Sequence, residues 1–260
     1  MHASVTLPVH VLASYLLVMA RMGGVMTFIP MPGLKNGPDM ARVAFAVLSA
    51  FLLFPVWAKS RALPIAPEYF VAGMASEAVM GVGVGLAIAY LAEILAMAAQ
   101  TVSLQAGYGF ASTIDPTTDA DAGFLVVLAQ LLAGVLFFAC GIDRQVLAIL
   151  GQSFERVPPG GCALSPSLVA ALAEAGSTIF STGLRLALPV IALLAMTDIA
   201  LALIGRLNAH VQVQTLGFPA KMVAGLALLA WISTLIPTVF QQASREILTL
   251  VDQLTGGAVR

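Results

Sequence analysis

Long apolar segments, separated by short polar or proline-containing stretches, are the feature that most constrains this chain. They run from Val9 to Ile29, Ala41 to Trp57, Tyr69 to about Gln105, Ala122 to Gly141, Leu168 to Ile204 and Met222 to Val239. A transmembrane helix needs about 20 mostly apolar residues, so most of these segments are long enough to cross a bilayer. We count five to six hydrophobic helical segments, followed by a polar tail.

Composition supports the same class of protein. Hydrophobic residues make up 60% of the chain and charged residues 10%, with a mean hydropathy of +0.97. In soluble domains, hydrophobic residues make up about 45–50% of the chain and charged residues about 25%. Transmembrane barrels show roughly ten-residue alternating segments, which are not found here. The sequence therefore predicts an all-α, multi-helix integral membrane protein.

The segment from Tyr69 to Gln105 is too long for one crossing, because a helix rises about 1.5 Å per residue and the hydrocarbon core is about 30 Å thick. Either the helix projects from the bilayer or it breaks, and Gly81–Gly85 is the place where a break is expected. Broken helices are expected elsewhere too, because prolines such as Pro189 lie inside apolar segments.

No pattern of catalytic or ligand-binding residues is found. The histidines His2, His10 and His210 are scattered, and the chain contains no His-Glu-x-x-His pair, P-loop or Gly-x-Ser-x-Gly sequence. An intramembrane aspartyl protease would need two facing aspartates, but the surroundings of Asp143 and Asp198 are not distinctive. We therefore expect no enzyme activity, no cofactor and no metal. The net charge of −1 is uninformative, but the chain has no basic stripe, so we expect no nucleic-acid partner.

The cysteines Cys140 and Cys162 are interpreted as two inert thiols. A disulfide between them is the alternative, if their loop faces an oxidising compartment.

Charged residues inside the apolar segments are costly, at least about 2.5–3.5 kcal/mol each at a helix centre. They are Arg21, Glu77, Glu93, Arg185 and Asp198. They could line an ion or substrate pathway, or form interhelical salt bridges. We favour salt bridges, because the charges form neither a relay cluster nor a repeat, and we expect Asp198 and Arg206 to be paired or hydrogen-bonded.

A stripe of small residues recurs every four positions in the third segment and therefore follows one slowly rotating helix face. Its members are Gly73, Glu77, Gly81, Gly85, Ala89 and Glu93. Small residues at this spacing let a second helix approach closely. The face is expected to contact protein and not lipid, with the second helix coming from the same chain or from another subunit.

Several motifs, taken in order, are similar to those of one family. They are Arg21, Pro30-x-x-Gly33, Pro38-x-x-x-Arg42, Glu77-x-x-x-Gly81, Gln105-x-Gly107 with Asp115-Pro116, Ser153-Phe154, Leu188-Pro189, Thr197-Asp198, Arg206 and Gly217-Phe-Pro-Ala-Lys221. In this order they resemble the FliR family of flagellar and type III secretion export proteins. The motif charges are Arg21, Arg42, Asp198, Arg206 and Lys221.

The sequence departs from the family pattern at Leu207–Gln212 and at Asp143-Arg144. No role is therefore assigned to His210 or Asp143.

The resemblance implies a single export-gate domain over residues 1–260, located in the bacterial inner membrane at the flagellar basal body. Such a subunit assembles with FliP-like and FliQ-like subunits into a helical channel for unfolded export substrates, and works with FlhB-like and FlhA-like export components. An injectisome subunit of the same family is the alternative. A small-solute transporter is the less favoured one, because its two halves should repeat and these do not.

The resemblance also places a closure of the channel in the segment that follows the third apolar run. Its expected members are Gln105, Gly107, Tyr108, Gly109, Phe110, Ile114 and Asp115. The glycines allow the backbone to turn and the large apolar side chains would exclude water. An ordinary interhelical loop is the other interpretation.

Overall fold

The computed structural model describes residues 9–29, 39–53, 67–108, 123–162, 166–207 and 213–257. Within these ranges the regular structure is entirely helical, which confirms the predicted all-α class. The helices are α1 (Val9–Phe28), α2 (Asp39–Leu52), α3 (Pro67–Ala106), α4 (Phe124–Ala139), α5 (Ile142–Arg156), α6 (Pro166–Leu207), α7 (Val213–Ile232) and α8 (Ile236–Gly257).

Three stretches of the described chain are long and apolar enough to cross a membrane. They are Val11–Phe28, Tyr69–Ala106 and Val169–Leu207, in α1, α3 and α6. The pairs α4–α5 and α7–α8 bring the number to as many as five if each pair is one span. The prediction of a multi-helix membrane protein is confirmed.

Helix α3 is continuous for 40 residues, about 60 Å at about 1.5 Å per residue. The break considered at Gly81–Gly85 does not occur. A glycine in a helix is less favourable than alanine by about 1 kcal/mol, but here the bare backbone of Gly81 and Gly85 lies against α1. This packing compensates for the poor helix propensity of the glycines.

Helix α6 is also continuous, for 42 residues, and passes through Pro189 without ending. It differs from α3 in burial: in an apolar 18-residue window of Tyr69–Ala106, 61% of the residues are buried, against 17% in such a window of Val169–Leu207. Much of the surface of α6 is therefore exposed in the isolated chain.

Broken helices occur at two other places. The axes of α4 and α5 differ by 64° across Cys140 and Gly141, and those of α7 and α8 differ by 63°. Gly141 has φ +68°, a conformation that side chains other than glycine rarely adopt. The chain thus turns sharply where the sequence allows it.

Two helices were not expected. Helix α5 precedes the Pro/Gly-rich loop and is too polar to have been recognised as an apolar segment. The expected polar tail is mostly α8, whose buried residues Phe240, Ala243, Ile247, Val251 and Leu254 recur every three or four positions. This spacing is that of an amphipathic helix; a search for apolar runs overlooks it.

Contacts among the described residues divide the chain into two compact units. Unit 1 comprises residues 1–90, 137–175 and 244–260, and unit 2 comprises residues 91–136 and 176–243. In unit 1, α2 packs along α1. In unit 2 the core consists of Ala98, Ala99, Val102, Ala106, Leu125, Ala187, Val190 and Leu194. The single domain over residues 1–260 stays a prediction.

Candidate functional site: interhelical ion pairs and a glycine seat

A buried ion pair joins α1 to α3 in unit 1. The Arg21 Nε donates to Glu77 Oε2 at 2.6 Å, and each side chain is only 1% exposed. Both residues were predicted as costly intramembrane charges. The structure assigns them to each other, so this pair fits the salt-bridge interpretation rather than an open pathway.

The remaining donors of Arg21 reach α5 and the turn that follows it. One terminal nitrogen donates to Ser153 Oγ at 3.1 Å and the other to the Val157 carbonyl at 3.2 Å. The guanidinium carbon also lies 4.5 Å from the centre of the Phe154 ring, within the range of a cation–π contact. Arg21 therefore ties α1 to α3 and α5.

The second oxygen of Glu77 completes this network. Its Oε1 accepts the Gly160 N–H at 2.9 Å. Gly160 has φ +89°, which favours glycine at this turn. A buried carboxylate with an unmade hydrogen bond would be unfavourable, and the turn supplies the donor. Ser153 was recognised only as part of a family motif, and no sequence pattern indicated that Ser153 and Gly160 serve Arg21 and Glu77.

Gly24, Gly81 and Gly85, which we call the glycine seat, bring α1 and α3 close enough for this pairing. A Cβ on Gly24 would lie 2.5 Å from the Ala78 carbonyl oxygen, and one on Gly85 would lie 2.6 Å from that of Val25. A Cβ on Gly81 would overlap the Arg21 carbonyl oxygen. The close-contact face predicted around Gly81 and Gly85 is thus occupied by α1 of the same chain, and Gly24 is a member that the four-residue pattern could not reveal.

The outer members of the stripe lie differently. Gly73 and Ala89 are half-buried, and Glu93 is exposed. The reason is geometric: four residues turn a helix by about 400°, so each step moves the stripe by about 40° around α3. Over the whole stripe this drift turns Glu93 away from the face that holds Glu77.

Cys162 lies beside this network. Its thiol is 3.3 Å from Met80 Sδ and 3.7 Å from the Ser76 carbonyl oxygen. Burial, reinforced by the charge of Glu77 and opposed by that of Arg21, raises the pKa of Cys162 to about 11. The thiol is therefore protonated at neutral pH. Cys140 and Cys162 are not joined by a disulfide in the structure, and their interpretation as inert thiols stays a prediction.

A second ion pair connects α6 to α7 in unit 2. Lys221 Nζ lies 2.7 Å and 2.9 Å from the two carboxylate oxygens of Asp198, and Gln105 Nε2 donates to the same carboxylate at 3.4 Å. Asp198, which was expected to be paired, is paired. Its side chain is 44% exposed, against 16% for Lys221. One side of this carboxylate therefore faces outward from the chain.

The end of α3 is closed by a glycine turn. The Gly107 N–H donates to the Leu104 carbonyl and the Tyr108 N–H to the Ser103 carbonyl, with Gly107 at φ +82°. This is a Schellman-type C-cap.

Tyr108 is then held by α7: its hydroxyl donates to the Met222 carbonyl at 2.9 Å. Burial raises the pKa of this hydroxyl, which keeps it a donor. Of the expected closure, Gly109, Phe110, Ile114 and Asp115 lie outside the described residues.

The other motif charges lie at helix ends. Arg42 donates to the Thr27 carbonyl at 3.3 Å, which links α2 to the last turn of α1. Arg206 is exposed in the last turn of α6, where a positive charge is favourable to the helix dipole. It has no hydrogen bond or ion pair with any described residue, so the expectation that it would be paired is not met there.

Taken as a class, this is a polytopic helical membrane protein whose helices are joined by the buried Arg21–Glu77 pair, the part-exposed Asp198–Lys221 pair and a close glycine contact. Among the described residues no group of histidine, cysteine, aspartate or glutamate side chains could hold a metal ion. The arrangement is suited to holding helices together.

The chain belongs to the bacterial export proteins, family 1, whose sequence model matches residues 12–247. It is similar to the flagellar biosynthetic protein FliR of Escherichia coli strain K12, with 25% identity over 240 residues that cover 92% of each chain. It is also similar to FliR of Pectobacterium carotovorum, at 28% identity over 83% of this chain and 82% of the relative. FliR of Caulobacter vibrioides shares 27% identity over 90% of this chain and 94% of the relative. The resemblance to the FliR family is confirmed.

Proposed function

We propose that this chain is a structural, non-catalytic subunit of the flagellar type III protein-export gate. It would assemble with FliP-like and FliQ-like subunits into the channel through which unfolded axial proteins cross the bacterial inner membrane, with FlhB-like and FlhA-like components supplying further steps. Family membership and the flagellar names of its relatives support the export role.

The observation that best supports assembly with other subunits is the exposed apolar surface of α6. Its apolar stretch Val169–Leu207 contains 39 residues, and in an apolar 18-residue window of it only 17% of the residues are buried. At about 1.5 Å per residue it measures about 58 Å, almost twice the roughly 30 Å of a hydrocarbon core. Even a tilt of about 40° leaves it longer than the hydrocarbon core is thick. The hydrocarbon core alone is therefore too thin to cover this apolar surface, which supports its contact with other protein.

The exposed face of α6 is continuous over its second half. Its members recur every three or four residues: Arg185, Leu188, Ala192, Met196, Ile199, Leu203 and Leu207. This is the spacing by which one helix packs along another. We assign the contact with another subunit to this face.

A bulky side chain in the middle of the face tests the assignment. Ala192→Trp keeps the surface apolar and compatible with lipid, but should prevent a second helix from packing closely. The matched control is Ala148→Trp, on an exposed position of α5 in unit 1. With FliP-like and FliQ-like partners co-expressed, we expect Ala192→Trp to lower co-purification at least fivefold and the control to leave it unchanged. Equal assembly of both variants would refute the assignment.

Expression of the chain alone separates an export subunit from a small-solute transporter. A transporter should purify as a monodisperse bundle, whereas a gate subunit should aggregate or be degraded until its partners are present. Restoration of swimming in a bacterium that lacks its own FliR would support the flagellar role. Restored secretion by an injectisome, without restored swimming, would favour the alternative member of the family.

A further inference from the structure

Two exposed arginines delimit the second half of α6. Arg185 lies near the middle of the helix and Arg206 lies in its last turn. Neither makes a hydrogen bond or an ion pair with any residue that the structure describes. Between them lie the twenty residues Leu186–Gly205, which measure about 30 Å at about 1.5 Å per residue. This length equals the thickness of a hydrocarbon core, about 30 Å.

The apolar stretch of α6 fits a bilayer in only one way that leaves no unpaired charge in the core. The candidate span Val169–Leu207 contains 39 residues, so a core about 20 residues deep could in principle cover several parts of it. Leu186–Gly205 is the only stretch of twenty residues within this span that contains neither Arg185 nor Arg206. An arginine deep in hydrocarbon is strongly unfavourable unless it is paired. The charges therefore select the second half of the helix.

The exposed side chains of α6 change in kind at Arg185. From Leu186 to Gly205 every exposed residue is apolar, and the single charged residue of the interval, Asp198, is paired with Lys221. Before Arg185 the exposed residues include polar ones, namely Glu174, Ser177 and Ser181. The surface that would be compatible with lipid thus begins where the interval between the arginines begins.

Helix α7 marks the same boundary independently. It runs antiparallel to α6, because a Cβ on Gly217 would contact Leu201, whereas Ser233 lines one apolar groove together with Leu186. From Pro219 to Ala230 its exposed residues are apolar. The exposed residues that follow are Trp231, Ser233 and Thr234. Tryptophan is enriched at the interface between membrane and water. Helix α7 therefore becomes polar at the level at which the apolar part of α6 begins.

We propose that the hydrocarbon core of the bilayer lies at the level of Leu186–Gly205, with Arg185 and Arg206 in the two opposite headgroup layers. Each guanidinium binds lipid phosphate there, because its planar group can donate two parallel hydrogen bonds to one phosphate. The part of α6 that precedes Arg185 lies outside the core. The inference concerns depth along the helix and does not depend on the export function. A partner helix on the face assigned above would lie in the same layer.

Collision rates of nitroxide labels measure this depth. The full chain is co-expressed with the FliP-like and FliQ-like partners, and what co-purifies is reconstituted into vesicles of phosphatidylethanolamine and phosphatidylglycerol. Oxygen concentrates in hydrocarbon and a polar nickel chelate stays in water, whereas a label covered by protein meets neither. The labelled cysteines replace exposed residues one at a time, in a Cys140→Ser, Cys162→Ser background: Ser177, Ser181, Leu193 and Ala200.

The two halves of α6 should differ clearly. We expect the ratio of oxygen to nickel collision rates to be at least about fivefold higher at Leu193 and Ala200 than at Ser177 and Ser181. Equal ratios would place Arg185 inside the core, where only a carboxylate of another protein helix could compensate its charge, and the proposal would be wrong. Nickel access at Leu193 and Ala200, or low rates of both reagents there, would also overturn it, because water or protein would then cover the interval.

Substitution of Arg185 tests its contact with phosphate. Arg185→Leu removes the charge that holds this level of α6 among the headgroups, so the ratio at Ser181 should rise at least about twofold. Arg185→Lys keeps a positive charge and should retain the wild-type ratio. The matched control is Arg144→Leu, which removes an exposed arginine of α5 and should change nothing at Ser181. An unchanged ratio in Arg185→Leu would refute the phosphate contact.

The wild-type profile decides the depth even if a variant fails to fold. Co-purification reports assembly separately from the collision rates. A chain that inserts as proposed but binds no partner would therefore contradict the export proposal alone, and an assembled chain with the wrong depth profile would contradict this inference alone.

Discussion

Arg21 Nε and Glu77 Oε2 lie 2.6 Å apart although 56 positions separate the two residues in the chain. Their side chains are almost wholly buried, and each uses its remaining hydrogen-bonding atoms on α5 or on the turn after it. Because Gly81 and Gly85 have no Cβ, the backbone of α1 can approach α3 closely beside this ion pair. The ion pair and the glycine seat therefore depend on each other.

Loss of one partner of this pair should destabilise the chain strongly. Glu77→Ala leaves the Arg21 charge buried, which typically costs about 3–5 kcal/mol. Thermal unfolding in detergent should show the loss. The control is Asp252→Ala, because the Arg156–Asp252 pair has the same 2.6 Å distance but is 40–48% exposed, and such pairs contribute about 0.2–1 kcal/mol. Equal effects of the two variants would contradict the buried role.

Alanine at the glycine seat should separate α1 from α3. Gly24→Ala and Gly81→Ala place a methyl group against backbone atoms that cannot move without shifting a helix. Gly23→Ala is the matched control, because nothing lies within 4 Å of its Cβ position, and better helix propensity should make it neutral or slightly stabilising. We expect a lower unfolding temperature for the first two variants only. Since the seat lies within one chain, the defect should appear before partners are added.

The Asp198–Lys221 pair should show measurable energetic coupling. Asp198→Asn and Lys221→Met should together destabilise the chain by less than the sum of the single effects, by at least about 0.5 kcal/mol, as is usual for residues in contact. A double-mutant cycle on unfolding free energies measures this. Additive effects would mean that the exposed side of Asp198 serves another partner, and that Lys221 contributes little.

The Tyr108 hydroxyl should matter for stability and the aromatic rings for closure. Tyr108→Phe removes the hydrogen bond to Met222 and should cost about 1 kcal/mol without opening the channel. Replacing both Tyr108 and Phe110 by alanine should raise ion leakage through the reconstituted complex. If the double variant assembles and remains as tight as Tyr108→Phe, the segment does not close the channel.

Cys162 should react slowly with alkylating reagents. Its pKa of about 11 lies above the ordinary value, so the thiolate fraction is small at pH 8 and rises about tenfold per pH unit until pH approaches 11. Rates measured in a Cys140→Ser background should follow this profile. Glu77→Gln removes a charge that raises the pKa and should therefore shift the profile to lower pH. A rate that is already maximal at pH 9 would contradict the assignment.

Sequence patterns predicted the helices to the extent that each is apolar. The bounds of α1 differ from the expected Val9–Ile29 by one residue, and α6 extends the expected Leu168–Ile204 by a few at each end. Helix α8 was missed because its apolar residues occupy one face only, so its average composition is polar. Apolar runs are therefore enough to predict α1 and α6, whereas α8 is recognised only when the face that it packs against the protein is known.

The sequence by itself determined the class of protein, the family and the charges that had to be compensated, because composition, run length and motif order are properties of a linear chain. Only the tertiary structure decided which residues do the compensating. Arg21 could have met several acids, and Gly81 could have broken α3 or faced another subunit. The choice of Glu77 and of α1 follows from distances between residues far apart in sequence, and these distances exist only once the helices are packed.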